Sequence, residues 1–238
     1  MHSSLYSLLL AVLFLALPGP ASGRDPGPVI VVLGSSTAAG TGANPIDSAW
    51  VWRFTKYILQ KDSSAKVINL AVGGYTTYDI MPTGFVPPAN RPGPKEGHNI
   101  TSALSYHPDV LIINLPSNDA ASGYSVQEQL ANYSLIVAQL TDPETRLFVS
   151  TTQPRNFADS SKVQIQVEMR DSTIRRFGPR TMDFWTNLAT PDGTLKKEYD
   201  SGDGIHLNNA GHRILFERAL EAGAAGAFSS DLRLYQVH

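Results

Sequence analysis

The stretch Val29-Ile30-Val31-Val32-Leu33-Gly34-Ser35-Ser36-Thr37-Ala38-Ala39-Gly40-Thr41-Gly42 decides the fold. Its first five residues are apolar, four of them are β-branched, and such a run is typical of a strand buried on both faces. The run ends abruptly at glycine and small hydroxyl residues, which predict a sharp turn. Ligands bind at the carboxyl ends of the strands of a parallel sheet. The stretch therefore predicts a functional turn, with Ser36 as the candidate nucleophile.

A nucleotide-binding loop and a turn without function are the two alternatives for this stretch. Five residues separate Gly34 from Gly40, and Thr41 follows, so neither G-x-x-x-x-G-K-[ST] nor G-x-G-x-x-G is matched. The chain has no G-x-S-x-G motif of the α/β-hydrolase type either. The turn alone does not separate a catalytic role from a purely structural one.

Length and composition favour a single domain with a sizeable core. The chain has 238 residues, of which 42% are hydrophobic and 17% are charged. The net charge of -2 and the lack of a long basic run argue against nucleic acid as a partner, because phosphate binding needs clustered Lys and Arg. We expect a neutral substrate. The chain contains no cysteine, which excludes disulfides.

The N-terminus has the features of a secretion signal. An apolar run from Leu8 to Leu17 is too short to span a bilayer, and small residues suited to cleavage follow at 21–23. A buried helix is the alternative, although Pro18 and Pro20 would separate it from the first core strand. The leader has no Lys or Arg, which is a departure from the usual pattern. We expect residues 1–23 to be a signal peptide, residues 24–238 to be the domain, and the mature protein to be secreted or periplasmic without stable membrane insertion.

Strand-like apolar runs alternate with stretches of helical spacing. The predicted strands are 29–33, 66–70, 110–115, 147–150 and 181–184, and the predicted helices are 48–60, 126–140, 160–177 and 208–222. Ser48 is the expected cap of the first helix, and the third is expected to bury Val163, Val167, Ile174 and Phe177. This alternation predicts right-handed βαβ units and an α/β fold, a three-layer α/β/α sandwich with a five-stranded parallel sheet. We expect a flavodoxin-like strand order, 2-1-3-4-5.

Residues 81–98 interrupt this alternation. They contain five prolines and three glycines, which exclude a helix or a central strand. The segment follows the second strand, so we expect it at the same rim of the sheet as Ser36. Long connections in compact domains are often functional, and a passive surface loop is the alternative.

Asp203-Gly204-Ile205-His206 supplies the groups that a serine nucleophile needs. A serine hydroxyl requires an imidazole as base and a carboxylate that fixes the tautomer of the imidazole. A tight turn lets Asp203 meet one ring nitrogen of His206 while the other points toward the serine. A capping Asp beside a surface His is the structural alternative. A metal site built from Asp200, Asp203, His206 and His212 is a further alternative, although the spacing fits no familiar metal motif.

Acyl transfer also needs fixed hydrogen-bond donors for the developing oxyanion. Two further strand ends offer them, Asn69-Leu70-Ala71-Val72-Gly73-Gly74-Tyr75 and Leu115-Pro116-Ser117-Asn118-Asp119. A glycine in the first stretch lets a backbone N–H approach the substrate, and the asparagine amide in the second can donate. Each stretch alone also fits a plain turn.

These four stretches, in this order and at these intervals, resemble the four sequence blocks of the SGNH hydrolases, also called the GDSL esterase/lipase family. The resemblance spans nearly all of the expected mature chain and implies the SGNH hydrolase fold. It implies that Ser36 is the nucleophile, His206 the base and Asp203 the residue that orients it. It also implies an oxyanion hole made by the N–H groups of Ser36 and Gly74 and by the side-chain amide of Asn118, with neither metal nor organic cofactor.

Two positions depart from the family pattern. Ser35 stands where the family usually has Asp, and Pro116 where it usually has Gly. We expect the first change to loosen hydrogen bonds that brace the nucleophile turn, and the second to stiffen the approach to Asn118. Ser35 as the nucleophile is a minor alternative.

The resemblance leaves the substrate open among acetylated sugars, short-chain and aryl esters, lipids and thioesters. Secretion and the charge balance favour O-acetyl groups on carbohydrate as the substrate. So does a polar rim formed by Tyr75, Tyr78, Arg155 and Asn156, of which Tyr75 and Arg155 are the candidate substrate-binding residues. A short-chain lipase, arylesterase or thioesterase is the alternative among enzymes, and a carbohydrate-binding protein with an inactive hydrolase fold is the alternative outside them. We expect a monomer.

Overall fold

The computed structural model describes residues 27–115 and 117–226; the predicted signal peptide and Pro116 lie outside them. A single sheet of five parallel strands has the order β2-β1-β3-β4-β5, which confirms the predicted α/β fold and strand order. The strands are β1 (Val29–Gly34), β2 (Lys66–Asn69), β3 (Val110–Asn114), β4 (Arg146–Ser150) and β5 (Thr181–Met182).

The predicted fifth strand is too long, because β5 ends at Met182. Beyond it, three backbone N–H groups donate to side chains. Phe184 N–H donates to Thr151 Oγ1 at 2.9 Å, and the Asp183 carboxylate accepts the N–H groups of Trp185 and Thr186 at 3.0 Å each. An Asx turn therefore replaces the end of the strand.

The helices are α1 (Ser36–Ala39), α2 (Trp50–Lys61), α3 (Ile100–Leu104), α4 (Asn118–Ala121), α5 (Val126–Val137), α6 (Ser160–Phe177) and α7 (Asn209–Glu221). Short 3-10 turns occur at Ile46–Ser48, Gly178–Arg180 and Lys197–Tyr199. The four predicted helices are present as α2, α5, α6 and α7, whereas α1, α3 and α4 are too short to produce a periodic pattern. Across the described ranges, no helix combines the length and apolar character needed to span a bilayer.

The two faces of the sheet build two cores. In β1, Ile30 and Val32 point to the face covered by α2 and α7, whereas Val31 and Leu33 point to the face covered by α3, α5 and α6. All four side chains are fully buried, as the continuous apolar run predicts. This three-layer packing fixes the carboxyl ends of β1, β3 and β4 at one rim.

The predicted cap of α2 is wrong. Ser48 lies in the preceding 3-10 turn, and the N-cap position is Ala49, which has no side-chain acceptor. Instead, the N–H of Trp50 donates to Nδ1 of His212 at 3.3 Å. A side chain from α7, 162 residues away, therefore accepts an N–H group at the start of α2 that a local cap residue usually satisfies.

The buried face of α6 also differs from the prediction. Ile174 is exposed, with 43% of its surface accessible, and the helix instead buries Gln166, Met169, Ser172 and Thr173. Thr173 Oγ1 returns a hydrogen bond to the Met169 carbonyl at 2.8 Å, and Gln166 Nε2 donates to the Gly193 carbonyl at 3.3 Å. Because Thr173 Oγ1 and Gln166 Nε2 find acceptors within the packing, the face forms without the apolar pattern, although Gln166 Oε1 is buried without a hydrogen-bond partner.

Residues 81–98 contain no helix or strand, as predicted, and they are fixed against α5. Arg91 forms a bidentate ion pair with Glu128, and its guanidinium lies 4.2 Å from the ring centre of Tyr124. The far end of the segment reaches the rim of the sheet, where the rings of His98 and Tyr75 meet edge to face at 6.1 Å.

Candidate active site

The turn after β1 places Ser36 as the first residue of α1. The turn requires glycine at position 34, because a Cβ there would lie 2.6 Å from the carbonyl oxygen of Asn114. Gly40 ends α1 in the left-handed region, with φ 99°, and its N–H donates to the Ser36 carbonyl at 2.9 Å. The amide of Asn69 donates to the Ala38 carbonyl at 2.8 Å. These contacts hold the Ser36 side chain at the carboxyl end of β1.

Ser36, His206 and Asp203 form one continuous hydrogen-bonded chain. Oγ of Ser36 lies 2.9 Å from Nε2 of His206, and Nδ1 of the same ring lies 2.6 Å from Oδ2 of Asp203. A carboxylate only accepts hydrogen bonds, so Nδ1 carries the hydrogen and Nε2 is left to accept the Ser36 proton. The structure brings together the three residues that the sequence proposed, and Ser36, not Ser35, contacts the imidazole.

Asp203 remains ionised over the whole physiological range. Partial burial opposes ionisation, but hydrogen bonds from the backbone N–H and ring of His206 and from the N–H of Ile205 lower the pKa of Asp203 to about 2. Oδ1 accepts both of these backbone N–H groups at 2.8 Å. The carboxylate therefore shapes its own turn as well as orienting the ring.

The turn that carries His206 is fixed by two neighbours. Gln153 donates from Nε2 to the Ile205 carbonyl at 3.0 Å, and Asp200 accepts the N–H groups of Gly202 and Gly204 at 2.8 and 3.0 Å through Oδ1. The alternative metal site is not formed, because Asp200 serves this backbone and His212 lies elsewhere. Within residues 27–115 and 117–226, no group of three or more His, Cys, Asp or Glu side chains is arranged to hold a metal ion.

His212 is fully buried and joins three elements. Its Nδ1 accepts the N–H of Trp50, and its Nε2 lies 3.1 Å from the Thr41 carbonyl, in the loop after the nucleophile. Burial lowers the pKa of His212 to about 4, so the ring is neutral and donates from Nε2. No local pattern in the sequence distinguishes this histidine from a surface residue.

Asn118 begins α4 at the end of β3, and its side-chain amide faces the nucleophile turn. The nitrogen Nδ2 donates to Ser35 Oγ at 2.7 Å and to the Tyr75 carbonyl at 3.0 Å. Ser35 is fully buried, so its hydroxyl holds the amide and does not face the rim. The departure from Asp at position 35 thus keeps a direct link between the nucleophile turn and Asn118.

The glycine pair after β2 lies at the open side of the site. A Cβ on Gly73 would lie 3.8 Å from Cβ of Ser36, which shows how closely this backbone approaches the nucleophile. Gly74 has φ 86°, in the left-handed region, and no atom would lie within 4 Å of its Cβ. The space next to Gly74 is therefore open to a substrate.

Asp119 fastens the two loops that carry Gly74 and Asn118. Its carboxylate accepts the N–H of Thr77 at 3.1 Å and the Thr77 hydroxyl at 2.6 Å, and Thr77 Oγ1 in turn accepts the amide of Asn132 at 2.8 Å. Burial raises the pKa of Asp119 to about 7, although the bonds from Thr77 oppose the shift. This role has no signal in the sequence other than the position of Asp119 next to Asn118.

The four residues of the predicted polar rim have different positions. Tyr78 is buried, and its hydroxyl donates to Glu128 at 2.8 Å, so its placement on the rim was wrong. Asn156 accepts the N–H of Leu195 at 2.8 Å and packs against Gly204, in a structural role. Tyr75 is half-buried at the rim. Arg155 is half-buried, and its Nη1 lies 3.4 Å from Oδ1 of Asn118.

The solved structures most informative about this fold are hydrolases. The chain is similar to the psychrotrophic esterase EstA from a Pseudoalteromonas species, with a TM-score of 0.58 and 16% identity over 82% of this chain and 95% of the other. A carbohydrate acetylesterase family member from Sinorhizobium meliloti gives a TM-score of 0.58 and 17% identity, covering 84% and 99%. A two-domain esterase active on acetylated mannans gives 0.57 and 13%, covering 89% and 52%. At these identities, the likeness concerns the fold.

The family assignment comes from the sequence itself. A comparison with curated proteins finds no significant match. The model of the GDSL-like lipase/acylhydrolase family, by contrast, matches residues 32–214, which is well over half of the chain and includes every candidate site residue described above. The protein therefore belongs to the GDSL-like lipase and acylhydrolase family of ester-hydrolysing serine enzymes.

Proposed function

We propose that Ser36, His206 and Asp203 are a catalytic triad that hydrolyses carboxylic esters through an acyl-enzyme. The observation that carries the proposal is the unbroken chain of contacts from Ser36 Oγ to His206 Nε2, at 2.9 Å, and from His206 Nδ1 to Asp203, at 2.6 Å. Following these contacts, we assign Ser36 as the nucleophile, His206 as the base and Asp203 as the residue that orients the ring. A binding protein with a decayed site would not need such a chain.

In the proposed mechanism, Ser36 Oγ attacks the ester carbon while its proton passes to Nε2 of His206. The tetrahedral intermediate collapses, the bond to the alcohol oxygen breaks, and the departing alcohol takes the proton from His206. A water molecule then attacks the acyl group on Ser36. Its proton passes through His206 to Ser36 Oγ as the acid leaves.

The negative oxygen of each tetrahedral intermediate needs fixed donors. We assign this role to the N–H groups of Ser36 and Gly74 and to the amide of Asn118. In the resting site both amide hydrogens of Asn118 face acceptors, Ser35 Oγ and the Tyr75 carbonyl. The oxyanion, which carries a full charge, would compete with these neutral acceptors for one of the two hydrogens.

For the substrate, we propose O-acetyl groups on carbohydrate. The open space beside Gly74 and the half-buried side chain of Tyr75 at the rim suit a small acyl group on a polar alcohol. Two of the fold relatives, described as a carbohydrate acetylesterase family member and as an esterase active on acetylated mannans, support the same class. The proposal also includes export of the protein, because polysaccharide substrates lie outside the cell.

One experiment tests both the assignment of the nucleophile and the substrate class. The parent, Ser36→Ala and Ser35→Ala are assayed on acetylated sugars and on 4-nitrophenyl esters of increasing chain length. We expect acetyl esters to be preferred, Ser36→Ala to lose roughly 10⁴-fold or more in turnover, and Ser35→Ala to lose far less. Activity that survives in Ser36→Ala and disappears in Ser35→Ala would move the nucleophile. A preference for long acyl chains would replace the acetylesterase by a lipase, and inhibition by a chelator that zinc reverses would contradict the metal-free mechanism.

A further inference from the structure

Arg155 lies beside the candidate oxyanion hole and lacks an acidic partner. Its Nη1 is 3.4 Å from Oδ1 of Asn118, and its guanidinium carbon lies 4.9 Å from the ring centre of Phe157. Among the described residues, no carboxylate is within ion-pair distance of it. Its Nε–H is buried without an acceptor. A side chain that leaves its own donor unsatisfied while serving a neighbouring amide calls for an explanation beyond packing.

The contacts of the Asn118 amide show what Arg155 adds. The oxygen and nitrogen of a terminal amide have nearly the same shape, so only their neighbours determine which way the amide points. Ser35 Oγ does not discriminate, because a hydroxyl can donate or accept. The Tyr75 carbonyl can only accept and the guanidinium can only donate. These two groups alone select the orientation in which Nδ2 faces Ser35 and Tyr75.

Charge adds a second effect to orientation. A hydrogen bond from a cation to the amide oxygen draws electron density away from the nitrogen, which makes the amide hydrogens stronger donors. Arg155 is partly desolvated, and the carboxylate that acts on it, Asp203, lies beyond ion-pair distance, so the cation keeps much of its pull on the amide oxygen. Negative charge in the reaction develops on the far side of the same amide.

We propose that Arg155 is a positioning residue that orients and polarises the Asn118 amide for the oxyanion. The inference rests on the proposed function, in which Asn118 is an oxyanion donor. Arg155 then acts only through Asn118 and does not bind substrate. The alternative role is capture of an anionic substituent of the substrate by the guanidinium. The experiment below separates this role from positioning of Asn118.

The test compares Arg155→Met with Arg155→Lys and with a matched control, Arg170→Met. Arg170 also stacks over an aromatic ring, at 5.0 Å from Trp185, but pairs with its neighbour Asp171. The substrates are 4-nitrophenyl acetate, which is neutral, and mono-4-nitrophenyl succinate, which carries a carboxylate. Thermal unfolding of every variant checks the fold. If Arg155→Met does not fold, Arg155→Lys, which keeps the cation without the planar fork, takes its place.

For Arg155→Met we expect kcat on the neutral ester to fall roughly tenfold, less than for direct loss of a donor, with KM nearly unchanged. Arg155→Lys should lie between this variant and the parent, and Arg170→Met should keep the parent kcat. The decisive variant is the double substitution Asn118→Ala with Arg155→Met, which should be no slower than Asn118→Ala alone.

Three results would overturn the proposal. They are a parent kcat in Arg155→Met, a loss that multiplies with that of Asn118→Ala, and a raised KM confined to the succinate ester. The proposed function fails separately, through an inactive parent or an active Ser36→Ala.

Discussion

Two carboxylates at the same rim of the sheet lie in opposite environments. Asp203 beside His206 has 46% of its side chain exposed and a pKa lowered to about 2, whereas Asp119 beside Asn118 is 1% exposed and has a pKa raised to about 7. Both accept backbone N–H groups, so hydrogen bonding alone does not separate them. Burial does, because desolvation penalises the charged form of a group that water cannot reach.

The difference matches the charge that each half of the site has to stabilise. The triad half comprises Ser36, His206 and Asp203, and the oxyanion half comprises Gly74, Asn118 and the residues that hold them. In the proposed mechanism, the triad half develops a positive charge on His206, which a fixed negative charge on Asp203 favours. In the same mechanism, the oxyanion half develops a negative charge near Asn118, which a charge on Asp119 would oppose. The same residue type thus orients a base on one side and joins two loops on the other, where burial disfavours a charge below the oxyanion.

The largest expected effects come from the triad half. His206→Ala should abolish turnover, because His206 is the one side chain of the described residues that contacts Ser36 Oγ. Asp203→Asn should cost less, about 10²–10⁴-fold, because the asparagine oxygen can still accept the backbone N–H groups of Ile205 and His206. Its NH₂ group, however, favours the tautomer that cannot take the Ser36 proton.

Pre-steady-state and steady-state rates on one acetyl ester measure both variants. The matched control is Asp200→Asn, which alters the neighbouring turn without touching the ring and should keep most of the activity if that turn survives. A His206→Ala variant with normal turnover would end the hypothesis of a serine–histidine mechanism.

On the oxyanion half, Asn118→Ala should lower kcat by about 10²–10³-fold while KM changes little. The amide meets a negative charge that exists only in the transition state, so its loss spares ground-state binding. Its removal also leaves Ser35 Oγ and the Tyr75 carbonyl without a donor, so some loss of stability is expected as well. If the folded fraction of Asn118→Ala turned over at the parent rate per active site, Asn118 would be structural only.

The two halves also differ in how far the sequence predicted them. Asp203 and His206 lie three apart in one turn, so a local pattern predicted that pair, whereas the role of Ser36, 170 residues from His206, came from the resemblance to the four family blocks. The parallel sheet was equally readable, because the two-sided burial of β1 and β3 leaves an uninterrupted apolar run. The donors Gly74 and Asn118 were named from the sequence too, but Asp119, Ser35 and Arg155 support them through contacts between distant segments, for which no local pattern exists.

Particular residues show why such contacts escape a reading of the sequence. His212 substitutes for the predicted Ser48 cap from 162 residues away, and Ser35 Oγ accepts the amide of Asn118, a contact that the sequence did not predict. Two buried hydrogen bonds lie below the turn that carries Ser36. Trp50 Nε1 donates to Asn114 Oδ1 at 3.2 Å, and Asn114 Nδ2 donates to Ser150 Oγ at 2.8 Å. Each of these residue types is common in places where it has no such role.

The smallest expected effect, and the sharpest test of the comparison, is the pH dependence of stability in Asp119→Asn. The folded pKa of Asp119, about 7, lies above its ordinary value of 3.8. Between these pH values the folded protein keeps a proton that the unfolded chain has lost, so this carboxyl makes the free energy of unfolding fall as pH rises from about 4 to about 7. The slope is at most about 1.4 kcal/mol per pH unit, and it vanishes above about pH 7, where both states are ionised.

Asparagine resembles the protonated carboxyl in shape and cannot ionise, so Asp119→Asn should be close to the parent at pH 5 and gain relative stability by pH 8. Urea unfolding at both values measures the change. Asp203→Asn is the opposite control: the folded pKa of Asp203 is lowered, so its stabilisation is present above about pH 4 and is lost as pH falls toward 2. The Asp203 carboxyl itself therefore contributes no change in the free energy of unfolding between pH 5 and 8. A stability difference between Asp119→Asn and the parent that is the same at pH 5 and pH 8 would mean that Asp119 is already charged at pH 5. The contrast between the two carboxylates would then lie in their exposure alone, and the oxyanion half would have to function above a buried negative charge.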